Sequence, residues 1–157
     1  MPRQRVACSP DARALVNCVG NMTNDVTLTV CETCGYDANN PDAPRPGATL
    51  AQLFEAQDIP GVRLQRTRCL MSCERPCAIA LQTPLKYSYV LCDLPVDDIT
   101  VEAIYRFAKL YGESADGTVA WSDWPEQVKG RFAARVPWLS ERNTCLLYTS
   151  PSPRDRG

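Results

Sequence analysis

Cysteine is the residue type that offers this chain most of its chemistry, because the 157 residues include nine cysteines and no histidine. Cys31 and Cys34 form a C-x-x-C motif, and Cys69, Cys73 and Cys77 follow one another at intervals of four residues. Four thiolates from two loops are what a [2Fe-2S] cluster or a tetrahedral zinc ion requires. In a cytosolic chain, such cysteines bind metals or act in catalysis more often than they form disulfides. The spacing therefore predicts a metal or cluster site.

The two ends of the chain are predicted to lie outside the folded domain. Residues 1–24 precede the first strand pattern and contain Met22, a candidate native start, so they are interpreted as a disordered or mis-called extension. Residues 138–157 are predicted to form a disordered tail, and 145–155 look like the conceptual translation of a sequencing adapter. The predicted domain is 25–137.

The remaining cysteines are assigned by their surroundings in the sequence. Cys8, Cys18 and Cys145 fall in the two excluded ends. Cys92 follows an apolar strand pattern and is predicted to pack as a small hydrophobic residue. Cys77 directly precedes another apolar run, so it is either a ligand or the first buried residue of a strand.

The elements that position the cysteines predict a mixed α/β domain. In chain order they are a strand at 25–31, a helix capped by Thr49 with Gln52, a strand at 62–67, a hairpin of strands at 78–81 and 86–92, a helix capped by Thr100, and a short outer helix from 121 to about 134. The first strand, helix and second strand form a βαβ unit, whose parallel strands end at one sheet edge. Both cysteine groups are therefore predicted to converge there, on a sheet of about four strands with both helices against it.

The second cysteine loop also carries a resemblance to known proteins. Its run Cys69-Leu-Met-Ser-Cys73-Glu-Arg-Pro-Cys77, followed by a strand, a turn and Tyr87-Ser-Tyr89, resembles the second cluster loop of thioredoxin-like [2Fe-2S] ferredoxins and of a related subunit of bacterial respiratory complex I. More closely, 27–137, with T-V-C-x-T-C and C-L-x-x-C-x-x-x-C, resembles a family of uncharacterised bacterial predicted metal-binding proteins. The resemblance implies a thioredoxin-like fold and a [2Fe-2S] cluster.

Carried over residue by residue, the resemblance makes Cys69 and Cys73 ligands of one iron, with Cys31 and Cys34 as the other pair. The first pair is spaced more closely than is usual in the ferredoxins, so Cys34 and Cys77 compete for the fourth position. A cluster with four thiolate ligands has no open site for a substrate, which implies a single-electron carrier with no catalytic residues. Its redox partner is unidentified, and because such ferredoxins are often dimers, a homodimer is expected.

Two other functions remain open at this point. The same thiolates suit zinc or another metal, because tetrahedral sulfur coordination is common to zinc and iron–sulfur sites. A thioredoxin-like dithiol oxidoreductase would use Cys31 and Cys34. Such an enzyme lowers the pKa of its thiol at a helix N-terminus, and about fourteen residues separate Cys34 from the predicted cap at Thr49. That separation argues against the dithiol enzyme.

Overall composition excludes several classes of function. The net charge of −1 gives no indication of a nucleic-acid partner, and no apolar run approaches the roughly 20 residues of a membrane span. No signal-peptide pattern follows Met1, so the protein is predicted to be cytoplasmic. Hydrolytic and acyl-transfer catalysis are disfavoured because the chain has no histidine base.

Two groups of side chains have both a functional and a structural interpretation. Arg66, Arg68 and Arg75 flank the second cysteine loop, where they either tune the site and bind an acidic partner or are solvated loop charges. Trp121 and Trp124 either form an exposed docking patch or cover an edge of the core, and the second interpretation is favoured.

Overall fold

The computed structural model describes residues 25–57 and 59–139. The predictions for residues 1–24 and for the adapter-like segment 145–155 fall outside the described residues. At the end of the described range, the Trp138 ring packs edge-on against Tyr87, with 5.2 Å between the ring centroids.

The fold is a mixed α/β arrangement built on a five-stranded sheet. Its strands are β1 (Val26–Cys31), β2 (Val62–Thr67), β3 (Ile79–Gln82), β4 (Ser88–Leu91) and β5 (Phe132–Val136). They lie in the order β2-β1-β3-β4-β5, with β1 and β2 parallel and the other neighbours antiparallel. The predicted βαβ unit and hairpin are therefore confirmed, whereas the prediction of about four strands is wrong by one.

The extra strand lies where a short outer helix was predicted. The 3-10 turns Trp121–Asp123 and Glu126–Val128 precede it, and β5 then pairs with β4. Pro125 lacks a backbone N–H, and Gly130 has a φ of 75°, so neither supports a continuous helix. Residues 132–136 form backbone hydrogen bonds with the edge of β4 that β3 leaves free. This pairing joins segments far apart in the chain, so the local apolar pattern does not predict it.

Both helices begin at residues other than the predicted caps. α1 (Pro46–Glu55) follows Arg45, so Thr49 lies inside its first turn. Proline at the first helical position costs no hydrogen bond, because that N–H has no partner within a helix. α2 (Asp98–Glu113) is capped by Asp97, whose carboxylate accepts a 2.7 Å hydrogen bond from the Thr100 backbone N–H.

The hydrophobic core lies between the two helices and one face of the sheet. Val26, Leu28 and Val30 take alternate positions along β1 and are each at most 1% exposed, so this face of the strand is buried. The two helices meet where the Tyr105 hydroxyl donates a 2.8 Å hydrogen bond to the Phe54 carbonyl. Within the described residues, no helix has the length and apolar character that a membrane span needs.

Candidate metal centre

The parallel pairing of β1 and β2 brings the start of both cysteine groups to one sheet edge. Cys31 is the last residue of β1 and lies opposite Thr67, the last residue of β2. Beyond them, the Glu32 backbone N–H donates to the Thr67 carbonyl at 2.9 Å. The Cys31 sulfur lies 3.6 Å from the Arg68 carbonyl, which directly precedes Cys69. The two cysteine loops are therefore in contact.

Thr33 links the two loops and was not singled out from the sequence. Its hydroxyl donates to the Arg68 carbonyl, and its oxygen lies 3.9 Å from the Cys31 sulfur. The Arg45 guanidinium in turn donates to the Thr33 carbonyl at 3.1 Å and lies over the Tyr36 ring. The only sequence signal was a hydroxyl residue between the two cysteines of C-x-x-C, which is too common to predict this role.

The N-terminus of α1 lies directly against the C-x-x-C motif. The Gly47 backbone N–H donates to the Cys34 carbonyl at 3.2 Å. A Cβ atom at Gly47 would lie 2.2 Å from the Cys31 carbonyl oxygen and 3.0 Å from the Cys34 Cβ, so only glycine fits. The prediction that the helix N-terminus is misplaced relative to Cys34 is therefore wrong, because residues 35–45 form a loop that returns the chain to the cysteines.

The first pair is buried, with Cys31 1% and Cys34 2% exposed. Burial disfavours the Cys31 thiolate, but hydrogen bonds from the Cys34 thiol and from nearby backbone and hydroxyl groups outweigh it, so the pKa of Cys31 is lowered. Burial raises the pKa of Cys34 to about 12, and the hydrogen bond to Cys31 adds to this rise. In the metal-free pair, Cys31 therefore loses its proton at a lower pH than Cys34 does.

The second pair is exposed on the loop after β2. The sulfurs of Cys69 and Cys73 lie 3.9 Å apart, and the Met71 backbone N–H donates to the Cys69 sulfur at 3.2 Å. The pKa of Cys73 is raised, first by its hydrogen bond to Cys69 and then by the charge on that thiol. Two thiols at this distance can share one metal ion, because sulfurs bound at about 2.3 Å to a tetrahedral ion lie about 3.8 Å apart.

The other two described cysteines are buried in the core. Cys77 is 2% exposed, and burial together with the charge on Cys31 raises its pKa to about 11. Cys92 is fully buried after β4, the location that its predicted packing role requires. Cys77 therefore lies close enough to the first pair to sense its charge, whereas Cys92 belongs to the core.

The donors are arranged as two pairs of thiols rather than as one group of three or four. Across 25–57 and 59–139, no three Cys, Asp or Glu side chains are gathered closely enough to hold one metal ion. The thiols instead form two pairs on adjoining loops. A [2Fe-2S] cluster uses four cysteine thiolates shared between two irons, so two pairs on adjoining loops suit it.

Two of the flanking arginines are paired with carboxylates. Of the two tryptophans, Trp124 packs against the core and Trp121 is 61% exposed. The Arg66 guanidinium binds Glu55 through hydrogen bonds of 2.7 and 2.5 Å, and Arg75 binds Asp93 at 2.7 Å. The Arg66 pair links β2 to the end of α1, and the Arg75 pair links the second cysteine loop to the residue after Cys92. At the far side of the domain, the Trp124 indole packs against the core and donates to the Val119 carbonyl at 2.9 Å, which confirms the core-edge interpretation for that residue.

A protein-family model matches the part of the chain that carries the candidate site. No curated protein and no solved structure matches the chain. Residues 28–138 match the model of a family described as a protein of unknown function, DUF1636. That match contains both cysteine pairs and every element of the sheet, although it begins within β1. Because it covers well over half of the sequence, the chain belongs to the DUF1636 family.

Proposed function

We propose that this protein holds a [2Fe-2S] cluster on a thioredoxin-like scaffold and carries single electrons in the cytoplasm. Cys31 and Cys34 would bind one iron, and Cys69 and Cys73 the other. The observation that carries the proposal is the arrangement of the thiols as two pairs on adjoining loops at one end of a parallel strand pair. A cluster supplies the one-electron chemistry, and the protein supplies the thiolates and their surroundings.

Cys34 suits the fourth ligand position better than Cys77. The Cys34 side chain is hydrogen-bonded to Cys31, whereas Cys77 is affected by the charge on Cys31 without a hydrogen bond to it. Cys34 also follows Cys31 in the same turn, held by the Gly47 N–H. Binding an iron would require Cys34 to lose its proton, so its affinity for the metal should rise with pH.

The surroundings of the thiols would tune such a cluster. Hydrogen bonds to ligand sulfurs raise the reduction potential of iron–sulfur clusters. The Met71 N–H already donates to Cys69, and Thr33 lies beside Cys31. The first pair is shielded from water while the second faces solvent, so we propose that the redox partner protein binds at the Cys69–Cys73 loop.

The test is to purify the full chain without oxygen and to measure its absorption spectrum, iron, acid-labile sulfide and zinc. Two irons and two sulfides per chain with visible charge-transfer bands would support the cluster. Cys34→Ala should abolish it, whereas Cys77→Ala should retain it if the protein folds. Cys92→Ala serves as the matched buried control. A colourless protein holding one zinc and no sulfide would refute the cluster and favour metal handling by the same thiolates.

A dithiol oxidoreductase is the second candidate, favoured by one specific observation. The N-terminus of α1 lies against C-x-x-C, and the pKa of Cys31 is lowered. Against it, neither sulfur of the pair is open to a disulfide substrate, because both residues are at most 2% exposed. A metal-free protein that catalyses disulfide reduction, and loses that activity in Cys31→Ser, would place this candidate first.

A further inference from the structure

A cluster of three sulfur side chains lies on the exposed loop after β2. The Cys69 sulfur is 3.9 Å from the Cys73 sulfur and 3.9 Å from the Met71 thioether. All three residues are exposed, and Met71 has 89% of its surface open to solvent. The cysteine spacing in the sequence assigns roles to Cys69 and Cys73 but none to Met71.

The backbone holds Met71 in a conformation that turns its side chain toward Cys69. Its φ of 58° lies in the left-handed region, which non-glycine residues rarely adopt. In this conformation the Met71 N–H also donates to the Cys69 sulfur at 3.2 Å. Core packing does not account for the side chain, because so little of it is buried. The loop instead presents a thioether beside two thiols.

We propose that Cys69, Met71 and Cys73 form a binding site for a soft monovalent metal ion, Cu(I) in the cell. Thiolate and thioether ligands together select Cu(I), whereas zinc is bound by thiolate, imidazole and carboxylate ligands. Three sulfurs about 2.3 Å from one ion lie about 4.0 Å apart in a trigonal arrangement, close to the two distances observed. Binding displaces the thiol protons to solvent and changes no oxidation state.

This site does not depend on the proposed cluster, although it uses two of the same thiols. Cu(I) at the loop would block iron from Cys69 and Cys73, so the two ligands would compete. The consequence is a protein whose cluster loading is sensitive to copper. The Met71 thioether separates the two sites experimentally, because the cluster does not use it.

The direct test uses metal-free, full-length protein labelled with ¹³C at its methionine methyl groups. Ag(I), a redox-inert analogue of Cu(I), is added without oxygen, and the methyl signals are followed by NMR. The signal that Met71→Leu removes should shift at the first equivalent, and Zn(II), which the two thiols can bind without the thioether, should shift it less. This local readout is needed because the buried thiols also bind soft metals. A Met71 methyl signal whose chemical shift does not change when Ag(I) is added would overturn the proposal.

Affinity gives the second test. In a competition with a chromophoric chelator for Cu(I), the affinity of the loop site should be at least about tenfold lower in Met71→Leu than in the parent protein. Even residues that only support a metal ligand typically cause a loss of this size when they are replaced. Ser72→Ala, in the same loop, is the matched control and should bind as the parent does. Reconstitution of iron and sulfide should be equal in both variants. Equal Cu(I) affinity in Met71→Leu and parent protein would refute the site.

Discussion

The two cysteine pairs lie at the same edge of the sheet but in opposite surroundings. Cys31 and Cys34 are at most 2% exposed and are enclosed by the end of β1, the N-terminus of α1 and the adjoining loop. Cys69 and Cys73 are exposed on the loop after β2, where the Cys69 sulfur also lies 3.9 Å from the thioether of another exposed residue, Met71. The first pair is part of the hydrophobic core, whereas the second pair lies on a surface loop next to it.

The difference in burial suggests that the first pair contributes to the stability of the fold, whereas the second pair is accessible to solvent and to ligands. A pair built into the core is held in place before any metal arrives, so its variants should affect folding as well as binding. An exposed pair contributes little to folding and is open to incoming metals and partner proteins. Equal effects of matched substitutions in the two cysteine pairs would contradict this distinction.

The largest expected effect comes from closing the space between α1 and the first pair. Gly47→Ala would place a Cβ 2.2 Å from the Cys31 carbonyl oxygen, so the helix must move away from the cysteines. We expect the free energy of unfolding of the metal-free protein to fall by about 3 kcal/mol in urea denaturation. Thr49→Ala in the same helical turn is the control and should be nearly neutral. An unchanged Gly47→Ala protein would mean that this contact does not hold the first pair.

Next in size is the difference between serine substitutions in the two pairs. Cys34→Ser buries a more polar hydroxyl and should lower the unfolding free energy by about 1–3 kcal/mol. Cys73→Ser lies on the exposed loop and should stay within about 0.5 kcal/mol of the parent. Both are measured on metal-free protein, so that ligand loss plays no part. Equal losses would remove the distinction between a core pair and a surface pair.

The buried thiols should also make stability depend on pH. The pKa of Cys77 is raised to about 11 in the fold from an ordinary thiol value of 9.0. Between these values the unfolded chain loses a proton that the folded chain keeps, so stability is full below pH 9 and falls as the pH rises toward 11. Cys34 acts in the same direction. In urea titrations of the metal-free protein, the unfolding free energy of Cys77→Val should fall less steeply between pH 9 and 11 than that of the parent protein. An equally steep fall would contradict the raised pKa of Cys77.

The smallest expected effect concerns the ion pair that anchors the second loop. The Arg75 Nη2 and Asp93 Oδ2 atoms lie 2.6 Å apart, and both side chains are at least 40% exposed. Exposed pairs contribute about 0–1 kcal/mol, so Arg75→Ala should cost less than about 1 kcal/mol. Asp93→Asn completes a double-mutant cycle without disturbing the left-handed backbone at that position, which asparagine tolerates. A coupling well above 1 kcal/mol would show that the exposed loop is held more tightly than its surroundings indicate.

Local patterns in the sequence predicted much of the architecture. The strand predicted at 25–31 is present as β1, and the helix predicted from Thr100 is present as α2, although it begins at Asp98. The βαβ order then required that the cysteine groups start at one edge. These predictions succeeded because they depend on periodicity and on connection rules, which are properties of short segments.

The donor atoms follow from the sequence alone, which has two closely spaced thiol groups, no histidine, and strands that lead into each group. Only the tertiary structure decided that one pair is buried and the other exposed, that residues 35–45 return α1 to Cys34, and that 132–136 join the sheet as β5. The physical reason is that burial and edge pairing depend on contacts between segments far apart in the chain. No local pattern of residue types contains those contacts.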